Sequence, residues 1–289
     1  LEAIFGARDD AEVAALHGEV LALVAAFNPL VAMFKPLQRD FGGLGPWAAF
    51  QRRAAALHAR MRAITESKRA APGEDVLSLL LAARTPEGEG LSEQELFEQL
   101  VTFVIAGHET TSTTLAWALY ELHRHPEVLA RLRDELSALG PAPSPESVVK
   151  SPFLVAVVSE TLRRHVPVPI VPRTLRGELT LGGHVLASGT KVAAAIHLAH
   201  HHAPTFEEPQ AFRPERFLGR AYTPFEYLPW GGGARRCLGA AFASYELHLA
   251  LAVLVGEARW ELHEPKPVPA EHRIGTYGPK GGIRMTRVA

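Results

Sequence analysis

Cysteine is almost absent from this chain: Cys237 is the only one in 289 residues. A single thiol excludes an internal disulfide framework and fits a reducing compartment, so a cytoplasmic location is expected. Long apolar runs are lacking too. The longest, Val20 to Phe27 and Leu247 to Val255, fall well short of the roughly 20 residues that cross a bilayer, and no signal peptide is visible, so no membrane anchor is expected. Nor does charge of either sign dominate. Thirty basic against 31 acidic residues leave a formal net charge of -1, which argues against nucleic acid or an anionic membrane as a partner. Internal repeats and low-complexity linkers are missing, so one folded unit over 1–289 is the simplest arrangement. What is present is apolar: 47% hydrophobic residues can bury the core of a soluble enzyme, with small molecules as default partners.

Helical periodicity dominates 1–165, and short strands with glycine turns occupy 166–289. That order predicts a mainly α protein with a small β region. Asp10 to Phe27 and Trp47 to Arg69 carry apolar residues at three- and four-residue steps and read as core-packed helices. Ser92 and Glu95 stand in capping-box spacing before a segment that is apolar on nearly every face from Leu100 to Leu122, which predicts a long, centrally buried helix. Pro126 opens the next helix, Gly140 closes it, and "GPAPSPE" reads as a loop. Pro167, Pro169 and Pro172 forbid further helix, after which "LTLGGHVL" and "KVAAAI" read as strands. A long aperiodic stretch leads to Cys237, and "LGAAFASYELHLALAVLV" is a final helix.

Three features stand out. Cys237 lies just before that final helix and just after Gly231 to Gly233, where the helix end, free backbone N–H groups and Arg235 stabilise negative charge on sulfur. Such a sulfur is a metal ligand or a nucleophile, whereas a lone cysteine without this context is a small buried hydrophobe. The glycines lack the Lys-Ser/Thr of a phosphate loop and the G-x-G-x-x-G spacing. Second, "AGHETTS" places a polar cluster inside the apolar helix, where threonine hydroxyls can bond backbone carbonyls and open a groove. Ser112 stands where a metalloprotease motif needs histidine, which removes that reading. Third, "SETLRR" sets Glu160 and Arg163 at i, i+3, with "FRPERF" about fifty residues later; alone, such a pair is a minor surface interaction. The histidines of "HLAHHHAP", His197, His200, His201 and His202, have no carboxylate or thiol at ligand spacing, so a separate metal site is not expected there.

In this order the three stretches resemble the cytochrome P450 family of haem-thiolate monooxygenases, of the bacterial soluble type. The family's F-x-x-G-x-R-x-C-x-G loop is matched by Gly233, Arg235, Cys237 and Gly239, with Trp230 in place of phenylalanine. The resemblance implies haem b (iron protoporphyrin IX) with Cys237 as the axial thiolate on iron, Arg235 and Arg173 as propionate partners, and Trp230 shielding the sulfur. Ala106, Gly107, Glu109, Thr110 and Thr111 match the family's oxygen-activating helix element. By that match Gly107 and Ala106 leave room above the iron, Thr110 is the hydrogen-bonding alcohol and Glu109 belongs to the proton relay. Glu160, Arg163 and Arg216 match the family's interlocking charged triad, a structural role.

The reaction so implied inserts one atom of dioxygen into an organic substrate and reduces the other to water, with electrons from a ferredoxin or flavodoxin and its NAD(P)H-dependent reductase. Arg236 is a candidate for the face on which such a partner docks. Substrate contacts by analogy come from Phe103, from Val166 to Val171 with Ile170 and Val171 foremost, and from Thr276 in "GTYG"; their apolar character points to a hydrophobic substrate. "IFGARDD" reads as the end of a helix from the middle of the family fold, so the pattern's earlier helices and most of its usual strands are expected to have no counterpart here. The alternatives are a haem-binding peroxygenase or sensor without oxygen-dependent turnover, and an inactive fragment. Glu109 and Thr110 favour oxygen activation.

Overall fold

A reciprocal cap fixes where the longest helix begins. The Ser92 N–H and hydroxyl donate to the Glu95 carboxylate at 2.9 and 2.7 Å, and the Glu95 N–H returns to the Ser92 hydroxyl at 3.3 Å. Donors that the first turn would leave open are thereby satisfied. The computed structural model describes residues 2–6, 10–26, 31, 34–39, 42–263, 266–273 and 275–288. Residues 7–9 of "IFGARDD" and Phe27 lie outside the described residues.

In chain order the helices are α1 Glu2–Phe5, α2 Asp10–Ala26, α3 Gly45–Ala70, α4 Val76–Ala82, α5 Glu93–Arg124, α6 Pro126–Ala138, α7 Pro145–Val149, α8 Pro152–Arg164, α9 Ile196–His200 and α10 Ala240–Gly256. The strands are β1 Ile170–Thr174, β2 Leu179–Leu181, β3 His184–Leu186, β4 Lys191–Ala195, β5 Trp260–Leu262, β6 Ala270–His272, β7 Tyr277–Pro279 and β8 Met285–Arg287. Packing divides the chain into two compact units, Leu1–His108 and Glu109–Ala289, with the division inside α5. The change from helix-rich to strand-bearing sequence near 165 falls within the second unit.

In the first unit, Leu16, Val20 and Leu23 of α2, Leu57 and Met61 of α3, Leu77 of α4 and Leu96 and Leu100 of α5 form one apolar cluster with Phe5. Asp75 starts α4 by accepting from the Ser78 N–H at 2.9 Å, and its other oxygen meets Lys68 Nζ at 2.6 Å. Burial opposes ionisation of this carboxyl, but Lys68 and the Ser78 donors outweigh it and hold its pKa below the usual value.

In the second unit, Leu122 of α5, Leu132 of α6, Leu154 and Val157 of α8 and Leu247 and Leu251 of α10 share a second core. The Glu135 carboxylate on α6 caps α8, accepting from the Phe153 N–H at 2.9 and 3.1 Å and from the Leu154 N–H at 2.9 Å. The strands pair only two by two and antiparallel, β1 with β4, β2 with β3, β5 with β8 and β6 with β7. The β2–β3 hairpin closes through Gly182 and Gly183 at φ of 57° and 81°, a left-handed turn that glycine adopts without strain.

Three local expectations are corrected and one strand is added. "GPAPSPE" is not all loop, because Ser144 caps α7 and Pro145 occupies its first turn, where a missing N–H costs nothing. Ile170–Thr174 is a strand despite Pro172. It belongs to a two-stranded pair, which leaves each strand an open edge. Ile196 opens α9 rather than extending β4. Finally, α5 is not buried all round: Ala106, Gly107 and His108 are exposed, and Ile105 is 40% exposed.

Replacing Asp75 by Ala is expected to lower stability by about 1–2 kcal/mol at pH 7, read from the urea midpoint. Because the folded pKa lies below the unfolded one, the contribution is full above the carboxylate range and fades as pH falls through the folded value. The gap between wild type and variant should therefore narrow in acid.

Candidate functional site

The site is built outward from α8. Glu160 and Arg163 face the same side of that helix one turn apart, and both side chains are fully buried. The Glu160 carboxylate accepts from Arg163 Nε at 2.7 Å and Nη2 at 2.9 Å, a bidentate charge-assisted pair. It also accepts from Arg216 Nε at 3.2 Å and from the Arg213 N–H at 2.9 Å, which fixes the 3-10 turn Pro214–Phe217. Arg163 donates onward to the carbonyls of His200 at 2.8 Å and Ala211 at 3.3 Å. Glu160, Arg163 and Arg216 are thus brought together in one buried cluster. An isolated buried charge would be untenable, and this satisfied network removes that penalty.

The loop that follows carries Cys237. Tyr227 donates to the Ser159 carbonyl of α8 at 2.9 Å, and the Leu228 N–H donates to His200 Nε2 at 3.0 Å. Trp230 is half-buried and packs against the second unit's core, while its carbonyl accepts the Cys237 N–H at 2.8 Å and closes the loop. Gly231 and Gly233 take φ of 67° and 66° inside it. Gly239 caps α10, placing Cys237 just ahead of that helix's N-terminus, with its thiol exposed. Arg235 and Arg236 are exposed on the same loop.

An added Cβ on Gly231, Gly232, Gly233 or Gly239 would meet no heavy atom within 4 Å. Beside this open backbone, Leu238 is 84% and Phe242 56% exposed, which leaves apolar surface next to the only thiol. Among the described residues no group of three or more His, Cys, Asp or Glu could hold a metal ion. One sulfur donor, open space and apolar surface suit a flat apolar prosthetic group that brings its own metal.

On α5, Glu109 and Thr110 are half-buried and Phe103 is also half-buried. Helix geometry persists through "AGHETTS"; the Thr114 hydroxyl bonds the Thr110 carbonyl at 2.8 Å and the Ser112 hydroxyl the Glu109 carbonyl at 3.2 Å. Glu109 Oε1 lies 4.0 Å from Nη1 of Arg273, which follows β6. Thr276 is 8% exposed, and its Oγ1 is buried with no hydrogen-bond partner among the described residues.

The segment before β1 is held from three sides. The His165 ring stacks on Trp117 at 4.0 Å and its Nε2 lies 2.6 Å from Glu121, while the carbonyls of Pro167 and Pro169 accept from the Tyr277 and His197 N–H groups. Burial opposes ionisation of Glu121, yet His165 and Arg164 keep its pKa below the ordinary carboxylate value. Strand pleating then puts Ile170 and Val171 on opposite faces, Val171 sharing its face with Arg173. The Arg173 guanidinium is exposed and donates to the Pro172 carbonyl at 2.8 Å.

Sequence reasoning missed Arg273, Tyr227 and the buried role of His200. Arg273 carried no signal beyond its nearness to "GTYG", and His200 was hidden in a histidine run.

A mainly α fold with one exposed cysteine on a glycine-bounded loop, braced by a buried Glu–Arg–Arg cluster, is that of a haem-thiolate protein. The sequence model of the family described as Cytochrome P450 matches residues 5–285. The chain is 37% identical over 289 residues to a Mycobacterium tuberculosis protein named "Putative cytochrome P450 137", covering 99% of this chain and 59% of that one. It is 38% identical over 211 residues to "Putative cytochrome P450 135B1" of Mycobacterium bovis, covering 71% of this chain and 43% of the relative. Among solved structures it resembles the cytochrome P450DA heme domain with a TM-score of 0.79 at 26% identity, over 96% of this chain and 61% of that one. The chain belongs to the cytochrome P450 family, whose members bind haem. It spans about three-fifths of the length of the first of these relatives and of the solved structure.

Gly233→Ala meets no steric clash but forces a β-carbon into the left-handed region, so we expect it to destabilise the loop by about 1–2 kcal/mol. The check is weaker haem retention on dilution, with helix content by circular dichroism unchanged.

Proposed function

We propose that this chain is the haem-thiolate portion of a monooxygenase acting on a hydrophobic organic substrate. The observation that carries the reading is Glu109 with Thr110, half-buried on the exposed stretch of α5, in a chain whose one thiol stands open on the Trp230–Gly239 loop. A haem-binding sensor or a peroxide-using oxidant needs the thiol but has no use for the carboxyl–hydroxyl pair.

Cys237 Sγ would hold the haem iron, Arg235 and Arg173 would pair with the propionates, and Gly233, Gly239, Ala106 and Gly107 would give the ring room. The bound haem supplies the iron at which dioxygen is reduced by two electrons, one oxygen atom going to substrate and the other to water. The chain's own residues manage position and protons. Glu109 Oε1 exchanges protons with solvent, steadied by the Arg273 guanidinium 4.0 Å away. Thr110 Oγ1 passes the proton inward by hydrogen bonding. Trp230, packed on the core, would shield the sulfur, and the exposed Arg236 would face a small electron carrier. Electrons come from a ferredoxin or flavodoxin served by an NAD(P)H reductase.

By the family resemblance, Phe103, Ile170, Val171 and Thr276 are the candidate substrate contacts. The single free thiol supports a reducing, cytoplasmic setting, and no helix among the described residues is long and apolar enough to cross a membrane.

Expressed with haem supplied and reduced under carbon monoxide, the chain is expected to give a strongly red-shifted Soret band that Cys237→Ala loses. No band in the unmutated chain would defeat the proposal. With a redox partner present, Glu109→Gln should slow turnover by roughly 10²-fold. Thr110→Ala should keep consuming oxygen while releasing peroxide instead of product.

A further inference from the structure

The histidine run "HLAHHHAP" is unexplained by the proposed chemistry, and its members have different fates. His201 Nδ1 lies 2.9 Å from the His197 carbonyl, and His202 Nδ1 lies 3.0 Å from Thr205 Oγ1, both on the surface. His200, the last residue of α9, has no exposed surface at all. Its two polar ends point in different directions. The carbonyl accepts from Arg163 Nη1 at 2.8 Å, and the ring Nε2 accepts from the Leu228 N–H at 3.0 Å, across 28 residues of chain. Its ring stacks on Tyr227 with centroids 5.3 Å apart and meets Phe206 edge-on at 6.4 Å.

A continuous path therefore runs from the Glu160 carboxylate to Arg163, to His200, to Leu228. From there the Leu228 carbonyl takes the Gly231 N–H at 3.0 Å, and the Trp230 carbonyl takes the Cys237 N–H at 2.8 Å. Each link leaves one hydrogen-bonding residue for another; beside the Tyr227 hydroxyl on the Ser159 carbonyl, the His200 ring is the side chain that joins the Glu160–Arg163 cluster to the start of the cysteine loop.

We propose that His200 is the positioning residue of the cysteine loop, its neutral imidazole serving through Nε2 as a fixed acceptor that transmits the Glu160–Arg163 anchor to Leu228. An amide N–H can donate only to an unprotonated ring nitrogen, so Nδ1 carries the proton and the imidazolium form would set one N–H against another. The surroundings enforce neutrality. Burial, then Arg163 from α8, His201 just past α9 and His197 within it, push the pKa down to about 3, with the loop's Tyr227 and Glu160 behind Arg163 as further titratable neighbours. The ring is therefore neutral around pH 7, and the tie is not a switch near neutrality. Its consequence for haem rests on Cys237 being the iron ligand; the tie itself does not.

Two variants separate the acceptor from the ring. His200→Gln places an amide oxygen where Nε2 stands and gives up stacking, whereas His200→Phe keeps stacking on Tyr227 and gives up the acceptor. Amide hydrogen exchange of residues 226–238 is followed in the full chain. Protection of the Leu228 amide should stay near wild type in His200→Gln and fall about tenfold in His200→Phe, the scale of one hydrogen bond. Protection kept in His200→Phe, or lost in His200→Gln, overturns the assignment. Nitrogen-15 NMR of the unmutated chain at pH 6 gives an independent reading. An unprotonated Nε2 is expected, and a protonated one overturns the proposal even if neither variant folds. Both measurements read the loop rather than the spectrum of bound haem. A chain with its loop held but no thiolate band would leave this inference standing and remove the functional one.

Discussion

The cysteine loop of the second unit hangs on one buried carboxylate. Glu160 has no exposed surface, and such a charge is tolerable only because both of its oxygens find donors. Those donors come from its own helix through Arg163 and from the distant turn through Arg213 and Arg216. A cluster of this kind is a weak source of net stability compared with apolar packing, because desolvation offsets the Coulombic gain. What it does supply is geometry. Removing any partner strands a charge, so the 3-10 turn and the long irregular segment around it have one arrangement rather than many.

That rigidity matters because the cysteine loop has little packing of its own. Residues 232–238 are exposed, and the glycines that let the backbone turn through the left-handed region also remove side chains that might have held it. The loop is fixed at its ends instead. Tyr227 and Leu228 tie its start to α8 and α9, Trp230 anchors it in the core, and Gly239 hands it to α10. The Cys237 side chain is thereby held on a fixed backbone while its face stays open. Along α5, deep burial of Trp117 and Leu122 contrasts with exposure of Ile105 to His108, beside the half-buried Glu109 and Thr110.

The features legible in the sequence were those whose physics is local. The Ser92–Glu95 box, Pro126 at a helix start, Gly140 at a helix end and the Gly182–Gly183 turn all act within a few residues, and each stands where expected. Proline is ambiguous: the composition of "GPAPSPE" reads as a loop although Pro145 starts a helix, whereas Pro172 rules out helix and leaves room for the strand that is found. The uniform apolarity of Leu100 to Leu122 hid an exposed face, because hydropathy alone does not say which side of a helix is covered. Least legible were ties across long stretches of chain. Nothing local distinguishes His200 from His201 and His202, and Arg273 meets Glu109 only after the chain has folded. The Glu160, Arg163 and Arg216 cluster was readable only through family resemblance, since spacing alone predicts a minor surface pair.

The measurement that bears most directly on this account is the carbon monoxide difference spectrum of Glu160→Gln, a residue assigned no chemistry, beside the unmutated chain. If the buried carboxylate sets the cysteine loop, the red-shifted thiolate band disappears while the first unit's helices persist by circular dichroism. A band of unchanged position and intensity would show that the loop holds its sulfur without Glu160, and would contradict the account.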